Sequence, residues 1–157
     1  MKRRTAARGN RTSRKQTAPR RSNERFKVRY SCPAALYDPK AFSHVVEVEG
    51  GRLIFVSGQV PVDGQRRLVS KDFREQVRKV YDNLEIALRS VGAGFENVVK
   101  TTNYLTNIAQ AKDFREVREE RFAHLKTRAA STTVVITALV DPEYLVEIEM
   151  IAAVPAR

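Results

Sequence analysis

The chain has 157 residues, one cysteine, two histidines and a formal net charge of +11. That length suits a single domain with a proper core and is short for two. One cysteine excludes a disulfide framework, two histidines leave too few soft ligands for a structural zinc site, and no apolar run reaches the ~20 residues that span a bilayer.

The charge is not spread evenly. Residues 1–30 hold 12 Lys/Arg and one acid, Glu24, which accounts for the whole excess, while residues 31–157 hold 17 basic and 17 acidic side chains. Bulk charge therefore gives the remainder no reason to bind nucleic acid. The stretch 1–30 has almost nothing to bury and is expected to be a disordered basic tail, with 31–157 as the folded domain. Three uses for the tail stand side by side: an arm making weak phosphate contacts to RNA, an organellar targeting segment lacking large apolar residues, or an idle extension. Cys32, a lone thiol before Pro33, fits a reducing, cytoplasmic compartment and reads as incidental.

From Phe42 onward the pattern is regular. HVVEVEGGRLIFVSG reads as a hairpin: Val46 and Val48 alternate with Glu47 and Glu49, Gly50-Gly51 makes the turn, and the return strand is apolar enough for burial on both faces. VDGQRR is a polar loop with an Asp-Gly turn. A helix follows over 72–90, with Phe73, Val77, Val80, Tyr81, Leu84 and Leu88 at three- and four-residue steps. Asp72 and Glu75 have capping-box spacing, and Gly92 marks the stop. GAGFEN lies after a helix and before a strand, the wrong order for a phosphate loop.

VVKTTNYL, 98–105, is a β-branched strand. A second helix spans 112–125 with Phe114, Val117, Phe122 and Leu125 on one side, and strands at 132–137 and 145–154 close the chain around a DPEY turn. The order β-β-α-β-α-β-β predicts an α+β fold with both helices on one face of a mixed sheet. The other sheet face needs cover, and in so short a chain that cover is expected from another subunit. In the last strand Glu147 and Glu149 are two residues apart and share a face. That face is either the wet side of an edge strand or the wall of a site.

The pieces PAALYDPKAFSHVV, IFVSGQVPVDG, NLEIALRSVGAGFENVVKTTNYLTN, DFREV and LVEIEMIAAV stand in the order found in the RidA family, also called YjgF/YER057c/UK114. The chain resembles that family over about 120 residues after the tail. The resemblance implies a chorismate-mutase-like fold and a homotrimer with clefts between subunits. It also implies hydrolysis of reactive enamines and imines to carbonyl and ammonia, without metal or organic cofactor. Within it, Glu147 corresponds to the acid that positions water, and Ser57 and Gly58 belong to the Ser-Gly-Gln turn lining the substrate. Phe42 falls where the family has a tyrosine. Ser131 falls where the family has the arginine that grips a carboxylate, a charged fork that serine cannot supply. Arg118 takes the place of a helix asparagine, and Arg128 lies three residues from the anchoring position; Arg118, a candidate substrate-binding residue, or Arg128 could reach the pocket and replace the lost charge, while the default for both arginines is a solvated helix face or loop.

Two classes of function follow from that departure. One is a deaminase with an altered substrate range; the other is a non-catalytic trimer that binds a small metabolite, or an RNA-associated protein acting through its tail.

Overall fold

The computed structural model describes residues 25–156. The expectation of a disordered tail falls, for residues 1–24, outside the described residues.

The fold starts earlier than the expected boundary. Strand β1 (Lys27–Ser31) pairs antiparallel with β2 (Val45–Glu49), setting Val28 opposite Val48 and Tyr30 opposite Val46. Residues 27–30 therefore belong to the domain and not to the tail. Their Val/Tyr alternation was masked by Lys27 and Arg29, which share the basic run. On the outer face Arg29 pairs with Glu47 at 3.4 Å and Glu49 at 2.7 Å, exposed contacts worth little each.

The expected hairpin between β2 and β3 (Arg52–Gln59) does not close. Gly50 and Gly51 adopt φ of +65° and +75°, as the sequence implied for a turn. A side chain at Gly51 would meet the Phe26 ring and the Val154 carbonyl, each 2.5 Å from the Cβ position. Beyond the turn the strands part, because β1 takes β2 as its partner and β3 pairs with the last strand, β6 (Val146–Val154). The main sheet has the order β3-β6-β4-β5, with β4 at Val98–Leu105 and β5 at Ala130–Val135. Only β4 and β5 run parallel in it, so the sheet is mixed, as expected. The strand carrying both acids is central, which removes the edge-strand reading.

Helix α1 (Phe73–Ser90) begins where Asp72 accepts a hydrogen bond from the Glu75 amide at 2.9 Å, and ends before Gly92 at φ +74°. Its apolar stripe, Phe73, Val77, Val80, Tyr81, Leu84 and Leu88, is buried. Helix α2 (Ala111–Phe122) adds Phe114 and Val117 to the same layer. From the sheet side this layer meets Val146, Ile148, Met150 and Ala152, the even positions of β6. Two side-chain amides, one buried and one half-buried, tie loops to α1. Gln76 donates to the carbonyls of Ser70 and Glu143 and accepts from the Leu145 amide; Asn83 donates to the carbonyls of Val60 and Val62. Every polar atom of the fully buried Gln76 side chain is thereby matched.

The opposite sheet face is bare within one chain. Leu53 and Phe55 are 51% and 73% exposed, so the double burial expected for β3 is absent in the single subunit. Among the described residues no helix is long and apolar enough to cross a membrane.

Candidate functional site

The Ser57-Gly58-Gln59 turn is a β-bulge. Val56 pairs with Met150 and Gln59 with Ile148, so Ser57 and Gly58 together oppose the single residue Glu149. The extra residue kinks β3 beside the acids, and the Gln59 amide clips it by donating to the Ser57 carbonyl at 3.1 Å. The absence of a side chain at Gly58 makes room for a neighbour. A Cβ there would collide with the Glu147 carboxylate, lying 2.8 Å from its carboxyl carbon. The glycine is the notch into which Glu147 folds.

Glu147 and Glu149 share the open face, as their spacing required. The register sets Glu147 beside Tyr104 and Glu149 beside Thr102, with Lys100 one step further along β4. Half-burial raises the Glu147 pKa above the ordinary carboxylate range, and the neighbouring Glu149 charge pushes the same way. Tyr104 titrates high for related reasons, burial first and then the Glu149 charge; its hydroxyl reaches Glu149 at 3.4 Å. Lys100, whose ammonium bonds Thr132, is pulled below its usual value by burial, with Glu149 opposing. A carboxylate whose pKa is raised holds its proton more tightly than a solvated one, a property of groups that exchange protons near neutral pH.

Ser131 lies on the other face of the same sheet. It pairs with Thr101, which in turn pairs with Met150, so its side chain shares the helix-side surface. There its hydroxyl oxygen accepts from Thr101 Oγ1 at 3.1 Å and from Asn103 Nδ2 at 3.2 Å. Asn103, 1% exposed, also has the Thr132 carbonyl and Thr133 hydroxyl within reach of the same Nδ2, whose two hydrogens are shared among these acceptors. Sequence reasoning passed over Asn103. Its signal was a lone amide at a position of β4 that faces the helices.

Phe42 and Arg118 do converge on Ser131. Residues 41–44 run along the outer edge of β5: the Ser43 amide donates to the Ala129 carbonyl at 3.2 Å and its hydroxyl to the Arg128 carbonyl at 2.6 Å. This strap sets Ala41 at two adjoining hollows that both reach Ser131 and Arg118 of α2, with Phe42 lining the one toward Phe114 and Arg128 the one toward Phe122. Phe42 also joins Tyr37 and His44 in an edge-to-face aromatic cluster, and His44 Nε2 bonds the Tyr37 carbonyl, a structural role for that histidine. Arg118 and Arg128 are not on a solvated face, contrary to the default reading. Both line these hollows, because the last turn of α2 and the loop after it fold over the strand.

One chain therefore holds two half-sites. Glu147, Ser57 and Gly58 stand on the open face, while Phe42, Arg118 and Ser131 stand on the helix side. Within a single subunit they do not meet.

A mixed sheet with two helices on one face, and a Ser-Gly bulge cradling a strand acid, define a Rid-type α+β protein. The family model for endoribonuclease L-PSP matches residues 33–154, and the chain belongs to that family, the YjgF/RidA family. A RutC family protein of Aquifex aeolicus is 34% identical over 112 residues, covering 71% of this chain and 86% of the relative. The solved structure of YyfB of Yersinia pestis, a Rid-family protein of unknown function, superposes with a TM-score of 0.75 at 31% identity, covering 81% of this chain and 98% of that one. TdcF of Escherichia coli, named as a candidate reactive-intermediate deaminase, is 26% identical over 109 residues, covering 69% and 84%.

Proposed function

We propose that this protein hydrolyses imines, including those formed from enamines, to carbonyl compounds and ammonia, with Glu147 as the acid–base. Water adds to the carbon of the nitrogen-protonated imine while Glu147 takes one of its protons, giving a neutral carbinolamine. Glu147 then returns that proton to nitrogen, the C–N bond breaks, ammonia leaves, and the hydroxyl releases its remaining proton to solvent as the carbonyl forms. A carboxylate with a raised pKa suits both halves of this exchange. The observation that carries the reading is Glu147 lodged in the Gly58 notch. Family membership and the likeness to TdcF support the same chemistry.

Completion of the site requires a second copy. The open face presents Leu53, Phe55 and Val134 around the acids, an apolar surface that a monomer leaves in water. We read it as the contact face of a homotrimer, in which the acid half-site of one subunit meets the pocket half-site of the next.

The test is ammonia release from imines generated in situ by an amino-acid oxidase. Wild type is expected to accelerate it, and Glu147→Gln to lose about a hundredfold or more of that acceleration. Decay at the buffer rate with every imine would contradict hydrolysis and favour a trimer that only binds a metabolite.

A further inference from the structure

Glu147 and Glu149 share the open sheet face, yet their surroundings differ. Glu147 is half-buried in the Gly58 notch, and among the described residues no side chain donates a hydrogen bond to it. Glu149 is exposed and has company on β4, whose register sets Lys100, Thr102 and Tyr104 along the same face beside Ile151, Glu149 and Glu147. The Tyr104 hydroxyl donates to Glu149 Oε1 across 3.4 Å, a long bond. The Lys100 ammonium lies close enough for its charge and that of Glu149 to act on one another, and it is held in turn by the Thr132 hydroxyl of β5. Opposite these groups β3 brings Ser57, Gly58 and Gln59, and β5 brings Thr132 and Val134, none of which titrates.

Two carboxylates one strand repeat apart, roughly 7 Å, repel when both are charged. The proton they contend for settles on the acid whose charged form has less support. A hydroxyl donor and an ammonium support the charge on Glu149. Half-burial and a glycine notch give the charge on Glu147 no such support. The difference bears on the chemistry, because a base that activates water and then returns the proton to nitrogen works best when no neighbour competes for that proton.

We propose that Glu149 serves the hydrolysis as a positioning residue: anchored by Tyr104 and Lys100, its carboxylate is the fixed negative charge beside which Glu147 alone exchanges protons with water and the imine nitrogen. This rests on the hydrolase reading and extends it from one acid to a pair with unlike roles.

The test compares wild type, Glu149→Gln and Tyr104→Phe by two readouts. One is kcat/KM for imine hydrolysis against pH. The other is the carboxyl carbon-13 signal of Glu147, followed by NMR in the full chain labelled at glutamate and assigned by its loss in Glu147→Gln. Glu149→Gln is expected to move both the rise in rate and the Glu147 titration to lower pH. Its plateau rate should fall about threefold, as Glu147 becomes the weaker base. Tyr104→Phe should move both the same way and by less, because the charge on Glu149 then loses one of its two supports. A Glu149→Gln protein that is slower but titrates at the wild-type pH would overturn the proposal, since a structural role slows catalysis without moving a titration. Tyr104→Phe alters no charge and carries the test if Glu149→Gln fails to fold: an unmoved Glu147 titration there would overturn the proposal as well. The two readings also separate. A Glu147 signal that moves in a protein hydrolysing no imine contradicts the hydrolase alone, and hydrolysis with that signal unmoved contradicts the pairing alone.

Discussion

Glu147 shows how much one backbone position can decide. Its carboxylate rests where a Gly58 side chain would be, so Gly58→Ala must push it aside. That variant is expected to fold, to lose imine hydrolysis about tenfold or more, and to show a shifted acid limb in its rate profile. Steady-state kinetics across pH will check it, and an unaltered profile would mean that the notch is incidental. The raised pKa also has a consequence for stability. The native state keeps the Glu147 proton in a pH window where the unfolded chain has lost it, so stability falls as pH rises from the ordinary carboxylate value through the raised one. Glu147→Gln removes that dependence, and thermal unfolding of the two proteins should diverge as pH rises through this window. The sequence showed Glu147 and Glu149 on one face, because the two-residue period of a strand is strict. It did not show that Glu147 is set in a notch, since that depends on a bulge in β3, separated from it in the chain by both helices and two strands.

At the scale of elements, α1 was the most legible part. Its stripe, Asp72 cap and Gly92 stop are local signals, and the observed helix differs from expectation by one residue at the start. Strand pairing was less legible. Gly50-Gly51 promised a hairpin by local chemistry, but β2 and β3 went to different partners, because pairing is decided by distant strands that local turn residues do not report. The basic run hid β1 for the same reason that charge hides any exposed strand face. Loop anchoring offers a direct test of the element level. Asn83 holds the chain just after β3 through two carbonyls, at 3.1 and 3.0 Å. Asn83→Leu would leave both acceptors unmatched and is expected to cost about 1–3 kcal/mol. Denaturant unfolding measures that cost, and no loss would show that water replaces the amide freely.

The whole molecule is arranged around a sheet with one finished face and one unfinished. The helix face carries the core and the arginine pocket, while the open face carries Glu147 amid Leu53, Phe55 and Val134. The excess of apolar character on β3 pointed to a second cover, and the single subunit leaves Leu53 and Phe55 on that face exposed. Why the two half-sites separate was not legible, because a sequence gives residues but not which side of a sheet a distant helix will close. A contact face predicts that Phe55→Glu, which plants a charge in the apolar patch, lowers the oligomeric mass in sedimentation without unfolding the subunit. The same variant should lose imine hydrolysis, since the acid of one subunit then no longer meets the next. An unchanged mass would place the subunit contact elsewhere. The most direct measurement of the central claim is kcat/KM for imine hydrolysis against pH in wild type and Glu147→Gln. Acid–base catalysis by Glu147 predicts a wild-type rate that rises through a pKa above the ordinary carboxylate value, and a variant that is slow and lacks this rise. A variant with the wild-type rate and the same pH dependence would contradict it.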